Sequence, residues 1–211
     1  MKRQMNIRIW IALILCALLT AGLFLTACKN WEHNVEKNGI LFKKVSQSKG
    51  GTIVGFMTEN HNIQNFPCEK GWIHFKKNWE LLSFQLSEGF TYNNILLPAH
   101  TWIHFSYHEG RSGYVCSFPY HFEVQGHLCG GSGGYKGTHT GFYDSGKLRS
   151  FFPPDDVTVD GVPCEASLLV NINLYENGRL KSCKLAKDYP VGGKTYKRGR
   201  SIEFDESGKA D

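Results

Sequence analysis

The 211-residue chain lacks any long segment with apolar residues at helical spacing. That excludes a helical bundle or an alternating α/β fold as its main architecture. A polybasic run is also missing, so a nucleic-acid partner is not expected despite a formal charge of +5. Three of the cations, Lys2, Arg3 and Arg8, lie in the first eight residues; beyond residue 27 the balance falls to near +2. No Cys-x-x-Cys pair and no His-x-x-x-His on a helical pattern points to a metal centre. A Gly-x-Ser-x-Gly nucleophile elbow is lacking too. The run Gly130-Gly131-Ser132-Gly133-Gly134 is not followed by the Lys and Ser/Thr of a phosphate-binding loop, and it reads as a flexible insertion. No catalytic constellation is visible, and no cofactor or metal is expected.

What the chain does have begins at its start. The cationic residues 1–8 are followed by an apolar run from Ile9 to Leu19 and then by small or apolar residues to Ala27. Charged, apolar and small segments in that order are the pattern of a secretory signal peptide. Leu25-Thr26-Ala27-Cys28 resembles the lipobox of bacterial lipoproteins. The resemblance implies cleavage after Ala27, a diacylglycerol on the Cys28 thiol and acylation of the new amine. A thiolate is nucleophilic enough to form such a thioether, and two or more acyl chains hold a protein firmly at a bilayer. An Asp after the anchor resembles an inner-membrane retention signal. This chain carries Lys29 instead, and the resemblance then points to the outer membrane.

The order expected is therefore a leader over 1–27, a polar tether over 28–39, and a folded domain over 40–211. Five cysteines remain once Cys16 and Cys28 are set aside: Cys68, Cys116, Cys129, Cys164 and Cys183. An exported chain meets an oxidising compartment, so disulfides are expected. The preferred pairs are Cys116 with Cys129 and Cys164 with Cys183, leaving Cys68 over. Spacing alone does not fix connectivity.

The domain is punctuated every few residues by Pro, Gly, Asn and Asp, between short stretches rich in aromatic and β-branched residues such as Thr52-Ile53-Val54-Gly55-Phe56. That pattern predicts an all-β fold of short antiparallel strands. It also repeats. Trp72-Ile73-His74-Phe75 recurs as Trp102-Ile103-His104-Phe105, and the same slot then holds Thr140-Gly141-Phe142, Ile172-Asn173-Leu174 and Ile202-Glu203-Phe204. Turns follow the slot at Asp144-Ser145-Gly146, Glu176-Asn177-Gly178 and Asp205-Glu206-Ser207-Gly208. Others precede it, at Gln125-Gly126, Asp160-Gly161 and Gly192-Gly193. Units of strand, turn, strand, turn, strand are expected near 62–91, 92–121, 122–156, 157–188 and 189–211, after a degenerate one at 40–61. Single units cannot bury their own faces, but stacked neighbours can. The predicted core is Ile73, Ile103, Ile172 and Ile202 with Phe75, Phe105, Phe142 and Phe204. The outcome is an extended or rolled hairpin meander, with a compact barrel as the alternative.

Phe142-Tyr143-Asp144-Ser145-Gly146-Lys147-Leu148-Arg149-Ser150 and Leu174-Tyr175-Glu176-Asn177-Gly178-Arg179-Leu180-Lys181-Ser182 resemble MORN-variant repeats, bacterial hairpins built on an aromatic, a turn Gly and a basic residue. The resemblance implies a binding scaffold rather than a reaction, and some members look like immunity or antitoxin proteins.

Strand parity sets Trp72, His74, Trp102 and His104 on the face opposite the core. Such an aromatic-histidine strip suits a protein or glycan partner, or packs beneath another layer. Trp79, Tyr107 and Tyr114 add to the aromatic density nearby, and His100 and His108 flank His104. Residues four apart on a strand are about 13 Å apart, too far to share one ion. The expectation is a lipid-anchored, non-enzymatic binding or structural module of the cell envelope. Its rivals are an immunity-type inhibitor of an envelope-acting toxin, a hydrolase of envelope polymers, and a metal-binding lipoprotein.

Overall fold

A computed structural model describes residues 30–105, 113–135, 137–167 and 169–210. Cys16, Cys28, Tyr107 and His108 lie outside the described residues, as does the leader. Three strands come first: β1 (Glu32–Lys37), β2 (Ile40–Gln47) and β3 (Ile53–Met57). Five blocks follow. The first holds β4 (His61–Ile63), β5 (Phe66–Cys68), β6 (Gly71–Phe75) and β7 (Leu81–Gln85). In the second are β8 (Phe90–Tyr92), β9 (Ile95–Leu97), β10 (Trp102–Phe105) and β11 (Tyr114–Ser117). The third has β12 (Phe122–Val124), β13 (His127–Cys129), β14 (His139–Phe142) and β15 (Leu148–Phe151). The fourth has β16 (Val157–Val159), β17 (Val162–Cys164), β18 (Ile172–Leu174) and β19 (Leu180–Lys184). The last has β20 (Tyr189–Val191), β21 (Lys194–Tyr196) and β22 (Ser201–Glu203).

Among the described residues no helix forms, and the strands make one twelve-stranded antiparallel sheet and five two-stranded hairpins. The sheet runs β1-β2-β3-β6-β7-β10-β11-β14-β15-β18-β19-β22, an open meander rather than a barrel. Each full block therefore contributes four strands, not three. The stretch from Val162 to Leu174 divides into β17, which belongs to the small hairpin, and β18, which belongs to the sheet.

Both turn residues of every small hairpin have positive φ: Gln64 and Asn65, Asn93 and Asn94, Gln125 and Gly126, Asp160 and Gly161, Gly192 and Gly193. These are the mirror-image turns whose twist matches that of the flanking strands. The first turn residue also clamps the sheet. The Leu81, Leu148 and Leu180 N–H groups donate to Gln64 Oε1, Gln125 Oε1 and Asp160 Oδ2 at 3.1, 3.0 and 2.7 Å. The β6–β7, β14–β15 and β18–β19 pairs share a bulge at one place, beside Phe75, Phe142 and Leu174. The Tyr143 hydroxyl donates to the Leu174 carbonyl at 2.9 Å, and that of Tyr175 to the Phe204 carbonyl at 2.8 Å. The third block is thereby tied to the fourth, and the fourth to the fifth. Arg149 and Lys181 lie over these two rings. The aromatic and the basic residue of the repeat thus have a structural reason.

One sheet face packs against the small hairpins and forms the core. Ile73, Ile103, Ile172, Ile202, Phe75, Phe142 and Phe204 are buried there, while Phe105 is half-buried among Phe66, Phe84 and Tyr92. Trp79 and Tyr114 belong to this side: Trp79 packs on Phe42 and Phe75, and Tyr114 stacks on Phe142 at 4.8 Å.

Cys164 and Cys183 form a disulfide across 19 residues, with Cα atoms 5.7 Å apart. Cys116 and Cys129 do not pair; both are free and buried, as is Cys68. The repeat explains the difference. Cys68 bridges Leu86 as Cys164 bridges Leu185, so the second strand of a small hairpin meets the second sheet strand of its own block. By that register Cys68 faces the slot of Phe84, as Cys164 faces Cys183. Gly130 donates to Phe152 as Glu69 does to Gln85 and Glu165 to Lys184, which sets Cys129 against Phe151. Cys116 lies in the preceding block, in the slot equivalent to Phe84.

Candidate functional site

The opposite face of the sheet changes character along its length. Cross-strand pairing aligns Ser46, Val54, His74, Ser83, His104, Val115, Gly141, Ser150, Asn173, Ser182 and Glu203 into one row. Its C-terminal half is small and polar, with Asn173 donating to the Ser182 hydroxyl at 2.9 Å. Its N-terminal half carries the aromatic residues. A neighbouring row holds Phe56 opposite Trp72, and Trp102 between Gln85 and Ser117.

The four residues singled out by parity, Trp72, His74, Trp102 and His104, do share this face. Trp72 is exposed, His74 and His104 are half-buried, and Trp102 is buried. The residue covering them is Tyr135, from the glycine-rich segment between β13 and β14. Its ring stacks on His74 at 5.0 Å and meets Trp102 at 5.2 Å and His104 at 5.1 Å edge-on. Trp31, just before β1, closes the other side, 5.8 Å from Trp72. Together Trp31, Val54, Trp72, His74, Trp102 and Tyr135 line a cleft of about 300 Å³. Within the expected tether over 28–39, Glu32–Lys37 is instead the first strand of the sheet, and strand periodicity does not report that Trp31 before it, or Tyr135 in a loop, folds onto this face.

The glycine run is not the flexible insertion expected. Gly130 donates to the Phe152 carbonyl at 2.7 Å, Gly131 to His121 Nδ1 at 3.1 Å and Gly133 to the Phe118 carbonyl at 3.0 Å. A Cβ on Gly130 would lie 2.9 Å from the Phe152 oxygen, and one on Gly131 would overlap the Tyr120 carbonyl. Glycine is needed there for close approach of backbone to backbone, which aims Tyr135 at the sheet.

His104 Nδ1 lies 2.7 Å from the Ser83 hydroxyl, and Nε2 is buried without a hydrogen-bond partner among the described residues. Burial pushes its pKa down to about 4, with His139 and His74 adding repulsion. The neutral imidazole is therefore the folded-state form at neutral pH. Since the unfolded ring titrates near 6.5, stability is complete above that pH and falls as pH drops toward about 4. Allowing for the ring's partial exposure, the loss is on the order of 1–2 kcal/mol. Urea unfolding at pH 7 and pH 4.5 checks this: the wild type should lose more stability on acidification than His104→Gln. Parallel pH dependences would contradict it.

His100 sits in a turn, bound to Glu69 at 2.8 Å, and takes no part in the cleft. Among the described residues no three His, Cys, Asp or Glu side chains gather closely enough to hold a metal ion. Burial pushes the Cys68 and Cys129 thiols up to about 12 and raises that of Cys116 as well, so all three are protonated near neutral pH. The chemistry the cleft offers is aromatic surface beside the His74 ring, suited to holding a ligand by stacking and hydrogen bonds. Among the described residues no helix is long and apolar enough to cross a membrane. Comparison with known families, curated proteins and solved structures finds no match.

Proposed function

We propose that the protein is a lipid-anchored envelope lipoprotein whose β-repeat domain binds a partner rather than catalysing a reaction. Cys28 is the acylated residue, the anchoring membrane is the outer one, and the repeats are of MORN-variant type. The partner is a protein or a glycan, and nucleic acid is not among the ligands. The observation that carries the reading is the cleft between Trp31, Trp72, Trp102 and Tyr135. Trp31 and Trp72 face a cavity on the side away from the core, which lies beneath the hairpins. Concave apolar surface with a few polar groups is the usual form of a ligand site. The resemblance of residues 25–28 to a lipobox supports the anchor.

Two measurements test this. Mass spectrometry of the mature protein should find a chain beginning at Cys28 and carrying diacylglycerol; an intact leader or an unmodified Cys28 would end the anchor reading. Affinity capture from cell envelopes should retain a partner on the wild type, and Trp72→Ala/Trp102→Phe should retain at least ten-fold less with an unchanged circular dichroism spectrum. The second substitution stays aromatic because Trp102 is 7% exposed and supports the fold. Equal retention by both proteins would remove the cleft as the binding site.

A further inference from the structure

The cleft has a corner its own architecture does not explain. Lys44 Nζ sits between two tryptophans, 5.0 Å from the Trp31 ring centroid and 4.8 Å from that of Trp72. No carboxylate lies within ion-pair distance of it among the described residues. Phe56 meets Trp72 at 5.1 Å. On β1, His33 pairs with Lys44, Glu32 with Val45 and Glu36 with Leu41, and neither carboxylate forms an ion pair with Lys44. Cations over indole rings gain from the ring quadrupole, but a partly shielded ammonium still lacks an anion.

Sequence supplies the geometry that names the anion. Trp31 follows Cys28 by three residues, and three residues of fully extended chain span about 10 Å. With acyl chains on Cys28 in a bilayer, Trp31 can stand no further than that from the point where the chain leaves the lipid. Tryptophan and lysine together are the residues a headgroup layer accommodates, the indole at the boundary and the ammonium toward phosphate. We infer that the corner formed by Trp31, Lys44, Phe56 and Trp72 lies on the headgroup layer of the anchoring membrane, with Lys44 against the phosphate of an anionic phospholipid. The cleft then opens at the bilayer surface. This rests on the lipoprotein reading for the tether, not for the affinity of the corner itself.

The experiment places the acylated protein in vesicles of phosphatidylcholine alone and of phosphatidylcholine mixed with phosphatidylglycerol, with lipids brominated high on the acyl chain as quenchers. Tryptophan emission should be quenched in the mixed vesicles and less so in phosphatidylcholine. Trp72→Phe should remove a large share of the quenching. Lys44→Gln should lower the ratio of docked to undocked protein about five-fold in the mixed vesicles and leave phosphatidylcholine unaffected. Raised salt should act in the same direction. An acylated protein whose emission is unquenched in both vesicles overturns the docking and leaves the anchor standing. If Trp72 is instead shielded from aqueous iodide, the corner has another occupant, a second copy or a glycan, and the inference again fails. If mass spectrometry shows Cys28 unmodified, the anchor reading fails separately. Binding of the Cys28→Ser chain to anionic vesicles, with and without Lys44→Gln, then decides the docking by itself.

Discussion

Phe84→Ala should lower the unfolding free energy by about 3–5 kcal/mol, the range for removing a fully buried aromatic side chain. Phe84 is 0% exposed on β7, at the centre of the first complete block. Its ring lies 5.0 Å from Phe66 of the small hairpin and 5.9 Å from Phe105 of the next block. It is also paired across the ladder with Ile103. One side chain therefore holds the hairpin to its sheet and the first block to the second. Truncation leaves a void bounded by three strands that cannot close without moving the backbone. Stability in such an array comes largely from interfaces between neighbours, so the damage should also loosen the coupling between units. Urea unfolding should show both a lower midpoint and a shallower transition. Leu96→Ala is the control: 66% exposed in the middle of β9, it should change stability by no more than about 0.5 kcal/mol. A Phe84→Ala loss under about 1 kcal/mol would mean that the interface between blocks lies elsewhere.

Cys164→Ala/Cys183→Ala should cost roughly 3 kcal/mol, the chain-entropy value for a loop of this length. The crosslink spans 19 residues and pins β17 to β19. The small hairpin it holds has strands of three residues each, and two-stranded hairpins of that kind are marginal alone. The fifth block contains no cysteine and adds one strand, β22, to the sheet. The C-terminal end of the sheet should therefore fray first when the disulfide is removed. Hydrogen exchange should show the amides of β18, β19 and β22 losing protection in the variant, while those of β3, β6 and β7 keep it. Uniform loss along the sheet would argue that the array unfolds as one body; no loss would show that the crosslink adds nothing to the packing already present.

Much of the architecture was legible in the chain. The slots at Ile73, Ile103, Ile172 and Ile202 declare one buried face by alternation, because a strand's side-chain period is two. Gln125-Gly126, Asp160-Gly161 and Gly192-Gly193 declare their turns, since both central residues need positive φ and glycine supplies it at little cost. Gln64-Asn65 and Asn93-Asn94 adopt the same conformation with no glycine to declare it. The division of each block into a sheet pair and a covering hairpin was not legible. Strands of three residues are too short for a period to distinguish one layer from another.

The cysteine pairing shows the same boundary. Of the two preferred pairs one forms, because pairing follows slots that the repeat brings face to face, which spacing does not report. Cys164 and Cys183 occupy such slots; Cys116 and Cys129 belong to different pairs, opposite positions filled by other residues.

By itself, then, the sequence determined the fold class, the repeat, the buried face, and the placing of Trp72, His74, Trp102 and His104 on the other one. These follow from local rules: alternation, turn conformation and the distance between like residues. Only the tertiary structure decided that Trp31 and Tyr135 join them, that the glycine run is a close-packed support, and that the imidazole of His104 is held neutral. Each of those depends on segments far apart in the chain meeting in space, and burial and contact between such segments leave no periodic trace in the order of residues.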